Sequence, residues 1–234
     1  MRGLVNVYAD KHALAKAFTR WFVSYARATV DAQGEFCVVL SGGSTPKAVF
    51  QRLTAETLPW ERVHVFWGDE RWVPHNHAES NYGQAKAVLL DQVNIPLKNV
   101  HPVPYLDAPA ASAQAYAAEI AQVMQDKPFD LVLLGMGDDG HTASLFPGQE
   151  MQWEGSVVVT MADYQGRPTQ RVTMTPNLLN CAREKVFLIS GASKAQALYY
   201  ALRMNHADVA LNPTHAIERA RWMLDTEAAT KLYK

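Results

Sequence analysis

The chain has 234 residues and a formal net charge of −1, with 48% hydrophobic and 19% charged residues, an ordinary balance for a globular chain able to bury a core. No global basic field recruits nucleic acid, and no apolar run approaches a membrane span. Residues 1–8 are too short for a signal-peptide core, and Cys37 and Cys181 form no CxxC pair, so a cytoplasmic location is expected and Cys37 reads as a reduced, buried thiol.

Strand and helix patterns alternate along the chain, which predicts an α/β fold with a mainly parallel, Rossmann-like sheet flanked by helices. Residues 4–8 read as the first strand. Asp10 suits the N-cap of a long helix that Gly34 stops. A second strand at 35–40 leads to a helix at 46–55, and a third strand covers 63–67. Helices are predicted over 81–93 and 110–125, and a buried strand over 131–134. Residues 157–161 and 171–175 read as a hairpin around Gly166-Arg167-Pro168. A strand at 185–190, a helix at 194–204, a short strand at 222–224 and a last helix from about Thr226 complete the pattern. No repeat or long linker interrupts it, so residues 1–234 are expected to form one domain.

Four turns at strand ends carry the chemistry. Ser41-Gly42-Gly43-Ser44-Thr45-Pro46 joins a strand to a helix. Gly42 and Gly43 let the backbone approach a ligand, Pro46 suits a first helical turn, and the helix start offers N–H groups beside the Ser44 and Thr45 hydroxyls. The spacing is not that of a Walker A loop, and a plain capped turn is the alternative. Gly135-Met136-Gly137-Asp138-Asp139-Gly140 matches the dinucleotide fingerprint literally. Asp138 and Asp139 would repel a pyrophosphate, Pro147-Gly148 leaves little room for a helix, and the unit lies mid-chain.

His141 follows in the same turn, where a neutral imidazole can take a proton from water and Asp139 can orient the ring. His12, His64, His75, His77, His101, His206 and His215 lack that placement after a buried strand. In Trp67-Gly68-Asp69-Glu70-Arg71, Arg71 suits an anion or an oxyanion and Asp69 a proton, unless the turn holds only a local ion pair. His75-Asn76-His77 lacks a third ligand at useful spacing for a metal. Arg171, and Lys194 after Ser190-Gly191-Ala192-Ser193, would complete an anion pocket, although either alone reads as a surface charge. No G-x-S-x-G elbow supports a serine nucleophile.

Taken in order, these turns closely resemble 6-phosphogluconolactonase, of the glucosamine/galactosamine-6-phosphate isomerase superfamily. The resemblance includes Ser80-Asn81-Tyr82, His141-Thr142-Ala143-Ser144-Leu145-Phe146-Pro147, Arg171-Val172-Thr173-Met174-Thr175-Pro176, Gly191-Ala192-Ser193-Lys194-Ala195 and the tail with Asp225, and it covers essentially the whole chain. It implies a fold similar to glucosamine-6-phosphate deaminase. It also implies hydrolysis of 6-phospho-D-glucono-1,5-lactone in the oxidative pentose phosphate pathway, with no metal and no organic cofactor.

By that resemblance His141 is the base, and Gly42, Gly43, Ser44, Thr45, Arg171 and Lys194 hold phosphate, with Asp69 beside the substrate. Asp139 and Arg71 join His141 as catalytic residues. The expected partner is a small sugar phosphate, with no nucleic acid and no membrane, the chain acting as a monomer or weak homodimer. The related deaminases typically place tyrosine at the position of Arg71 and glutamate at that of Phe146, and phenylalanine cannot relay protons. An aminosugar-phosphate deaminase or isomerase, and a sugar-phosphate sensor without turnover, are the rival readings. The residue before Asp139 is often proline in the family and is Asp138 here, so Asp69, Asp138 and Asp139 all compete to support the base.

Overall fold

A computed structural model describes residues 3–149, 153–204 and 211–233. Strand β1 (Val5–Tyr8) leads into helix α1 (Lys11–Gln33). Asp10 caps that helix by accepting the Ala13 N–H at 2.8 Å, and Gly34 ends it at φ 87° with its N–H on the Val30 carbonyl. Strand β2 (Phe36–Leu40), helix α2 (Ser44–Leu53) and strand β3 (Val63–Trp67) follow.

After Gly68 the chain turns into β4 (Asp69–Arg71), then α3 (Asn81–Val88), β5 (Val100–His101), α4 (Pro109–Met124) and β6 (Leu131–Leu134). The hairpin of β7 (Val157–Met161) and β8 (Gln170–Met174) precedes α5 (Pro176–Asn180), β9 (Glu184–Ile189), α6 (Ala195–Arg203) and β10 (Arg221–Asp225).

Among the described residues, seven strands pair in parallel in the order β1-β10-β9-β6-β2-β3-β5. The chain runs outward from β2 through β3 to β5, then returns to the other side of β2 at β6. The order therefore reverses between β2 and β6, and in open α/β sheets the crevice above such a reversal takes the ligand. A second, antiparallel sheet of β4, β8 and β7 stands beside the first. Gly68 joins the two, its N–H on the Leu40 carbonyl at 3.0 Å and its carbonyl accepting from Met174 N–H at 2.8 Å.

Alternating strand residues feed two cores. Val38, Leu40, Val65, Trp67, Leu131, Leu133 and Leu188 face Leu14, Phe18, Phe22 and Phe50 of α1 and α2. Val39, Phe66, Val132, Leu134, Phe187 and Ile189 face Tyr116 and Ile120 of α4, Leu198 of α6, and Val172 and Met174 of β8. With both faces covered, the central strands are near-continuously apolar, which is why their periodicity is weak and their composition strong. Each fully buried Leu or Phe contributes roughly 1.5–3 kcal/mol. Cys37 lies in this interior, and burial holds its thiol at about 12, so it is an inert, packed side chain.

Three elements differ from expectation. The predicted 81–93 helix stops at Val88, because Leu89 leaves helical geometry at φ −124° and ψ −60°, and only a 3₁₀ turn, Leu90–Gln92, follows. The tail after β10 forms a 3₁₀ turn, Ala228–Lys231, rather than a helix, with the Asp225 carboxylate capping the Ala228 N–H. The 157–175 hairpin forms, with its second strand one residue early, but it pairs with β4 in the smaller sheet. Strands β4 and β5 and helix α5 are too short to register as periodicity.

Candidate active site

The loops after β2, β6 and β9 leave the carboxyl end of the parallel sheet and enclose a cleft of about 320 Å³. Ser41, Gly42, Gly43, Ser44 and Thr45 line one side, Gly135 to Asp138 with His141 another, and Ser190, Ser193 and Lys194 a third. The smaller sheet supplies Asp69, Arg71 and Arg171.

His141 Nδ1 lies 2.6 Å from Asp139 Oδ1, which also accepts the His141 backbone N–H at 3.0 Å. A carboxylate can only accept, so Nδ1 carries the proton and Nε2 is the basic nitrogen left to a ligand. Burial pushes Asp139 up, but hydrogen bonding and charge at His141 more than offset it and leave the carboxyl below the ordinary aspartate value. Asp139 itself is not among the cleft-lining residues; it stands behind the ring. The pair packs over Gly137, where any Cβ would collide with His141 Nδ1 and Asp139 Oδ1. Phe146 stacks on the imidazole at 4.4 Å, and Tyr164 meets it edge-on at 4.6 Å.

The three aspartates separate by partner. Asp138 accepts from the Tyr164 hydroxyl, while Asp69 Oδ2 accepts from Ser144 Oγ at 2.7 Å. Asp139 alone holds the histidine.

Arg71 and Arg171 are directly opposite in the β4–β8 register. Like charges in that position repel, so the pair needs anions around it. Asp69 and Glu79 supply part, with Arg71 Nη1 3.7 Å from Glu79 Oε2. Arg71 Nε and Arg171 Nε and Nη2 remain buried without hydrogen-bond partners. Arg171 is only 3% exposed, which overturns its reading as a surface charge. Burial pulls both Arg171 and Lys194 below their ordinary values, as expected of cations held ready for an anion.

On the glycine loop, Thr45 Oγ1 lies 2.7 Å from Ser190 Oγ, tying the β2 and β9 turns together. Gly43 adopts φ 105° to launch α2, and no side chain caps the first turn of that helix, whose Ser44 and Thr45 line the cleft.

Two positioning residues escape a sequence reading. Glu70 is buried and accepts the Arg71, Asn81 and Tyr82 backbone N–H groups and the Ser80 hydroxyl, at 2.6–3.0 Å. It pins β4 to the start of α3, although burial pushes its carboxyl up to about 7 against those donors. Asn81 donates to the Asp69 carbonyl at 2.9 Å and fills the space that Gly42 leaves by lacking a Cβ. A charge run and a polar triplet ten residues apart carry no signal that they meet.

Several other histidines have local roles. His75 Nε2 donates to the Val103 carbonyl, His77 Nδ1 accepts from Glu79 N–H, and His101 lies between Glu119 and His64. His206 is outside the described residues. Among the described residues no three His, Cys, Asp or Glu side chains group as metal ligands.

A mainly parallel α/β sheet with a His–Asp pair and buried arginines in the cleft at its reversal point defines an α/β protein with an anion-binding class of site. The chain belongs to the Glucosamine-6-phosphate isomerases/6-phosphogluconolactonase family, whose sequence profile matches residues 9–225. It is 38% identical over 241 aligned residues to a 6-phosphogluconolactonase of Nostoc, covering 99% of each chain. The solved 6-phosphogluconolactonase of Trypanosoma cruzi superposes with a TM-score of 0.88 at 29% identity, covering 100% of this chain and 98% of that one. A monomeric glucosamine-6-phosphate deaminase shares the fold, with a TM-score of 0.85 at 20% identity, covering 97% of this chain and 99% of that one.

Proposed function

We propose that the protein, as one lactonase domain across residues 1–234, hydrolyses 6-phospho-D-glucono-1,5-lactone to 6-phospho-D-gluconate in the oxidative pentose phosphate pathway. The observation that carries the reading is the His141–Asp139 pair at one wall of a cleft whose other walls present Arg71, Arg171, Lys194 and the 41–45 loop.

The lactone phosphate docks on Gly42, Gly43, Ser44, Thr45, Arg171 and Lys194, and this remote anchor orients C1. His141 Nε2 removes a proton from water as the water oxygen attacks C1. Arg71 stabilises the tetrahedral oxyanion, and Asp139 holds the tautomer and the imidazolium that forms. The C1–ring oxygen bond breaks, and the ring oxygen takes the proton from His141. A lactone is an activated ester, so general-base assistance of about 10²–10⁴-fold plus orientation is sufficient. Phe146, stacked on His141, offers no group for the proton relay that sugar-ring opening in a deaminase requires.

The test follows acid release from freshly generated 6-phosphogluconolactone, with unphosphorylated gluconolactone as control. Turnover of the phosphorylated lactone with a much lower KM is expected. Equal KM for both would remove the phosphate anchor, and ammonia release from glucosamine 6-phosphate would replace the reading with deamination.

A further inference from the structure

The β7–β8 hairpin does more than pair with β4. Its tip, residues 164–167, is a two-residue turn closed by Arg167 N–H on the Tyr164 carbonyl at 3.1 Å. Gln165 and Gly166 both take positive φ, 55° and 66°, the geometry that suits a tight hairpin. The turn carries Tyr164, Gln165 and Arg167 to the cleft wall.

Three contacts tie the tip to two parts of the cleft mouth. On the β6 side, the Tyr164 hydroxyl donates to Asp138 Oδ1, and Gln165 Nε2 lies 3.4 Å from Asp138 Oδ2. On the Arg71 side, Arg167 Nε lies 3.9 Å from Glu79 Oε2, the carboxylate that Arg71 also approaches. Asp138 faces a cleft lined by cations, yet both its oxygens are directed to the hairpin. Its carboxyl is held below the ordinary aspartate value, first by the Tyr164 hydrogen bond, so it stays an acceptor across neutral pH. Tyr164 in turn meets the His141 ring at 78° and 4.6 Å, while Phe146 stacks on that ring at 28° and lies 5.9 Å from Tyr164. The imidazole is thus confined by two aromatic rings and by Asp139.

We propose that Asp138 and Tyr164 form a latch that fastens the hairpin tip across the cleft, making Tyr164 a positioning residue that keeps His141 Nε2 aligned on the substrate. The proposal rests on the reading of His141 as the base. A hydroxyl and a carboxylate that act on the ring chiefly through one shared hydrogen bond have non-additive deletions. Their loss loosens the ring, which lowers kcat, and leaves the phosphate anchor at 41–45, Arg171 and Lys194 in place, so KM does not rise.

The experiment compares Tyr164→Phe, Asp138→Ala and the double variant, by lactone kinetics and by hydrogen exchange of residues 162–169. Each single variant is expected to lower kcat about three- to ten-fold without raising KM, the double variant falling no further. Exchange at the tip speeds up in all three. Wild-type kcat in Tyr164→Phe, additive losses, a rise in KM matching the fall in kcat, or unchanged tip exchange overturns the latch. Accelerated tip exchange in a protein that never hydrolyses the lactone would instead sink the lactonase reading and leave the latch as a structural fastening alone.

Discussion

Asp69 and Asp138 line the cleft, Asp139 stands behind the His141 ring, and the three bond to different partners, Ser144, Tyr164 and His141. Identity alone cannot distinguish them, and the order of residues in the turn leaves all three as candidates; the fold decides by which oxygen reaches the imidazole. Asp139→Asn should therefore lower kcat about 10²-fold with little change in KM, because an amide no longer fixes the tautomer that leaves Nε2 basic. Steady-state kinetics on the phosphorylated lactone check this. Lys194 makes a pH prediction. Burial lowers its pKa in the free protein, and bound dianion favours the charged form. Affinity for 6-phosphogluconate is thus full at lower pH and declines as pH rises through that lowered value, before the ordinary lysine range near about 10.4. Calorimetric titration across pH should show the decline in wild type and its removal to higher pH in Lys194→Arg.

At the scale of elements, the long, capped and strongly apolar ones were legible. Asp10 and Gly34 bracket α1 as their chemistry demands, and 131–134 is the middle strand of the sheet. Asp10→Ala should cost about 1 kcal/mol in urea unfolding. What the sequence leaves out is placement between distant short pieces. Glu70 meets Ser80 and Asn81 only because the loop of residues 72–80 folds back over it, and no local propensity encodes that closure. Glu70→Gln turns one acceptor into a donor facing backbone N–H groups. It should destabilise the protein by roughly 2–4 kcal/mol and disorder Arg71 with it, read as a lower unfolding midpoint and reduced kcat.

For the whole molecule, the reversal of strand order between β2 and β6 gathers turns from residues 41, 69, 135, 171 and 190 into one cleft. The motifs were readable one by one, and their convergence was implied by the α/β alternation and the family resemblance. The second sheet was not, because β4 is three residues long and its pairing with β8 crosses a hundred residues of chain; yet that pairing sets Arg71 opposite Arg171. A ligand binding only the folded cleft raises stability by mass action, by about 2.7 kcal/mol at a hundred times Kd. Saturating 6-phosphogluconate should raise the wild-type melting temperature and leave that of Arg171→Ala nearly unmoved.

The most direct measurement is kcat for 6-phosphogluconolactone in His141→Ala, with product affinity measured in parallel to show that the cleft still forms. A fall of about 10²–10⁴-fold with retained affinity is expected of a lost general base. Turnover close to wild type in a variant that still binds product would contradict it.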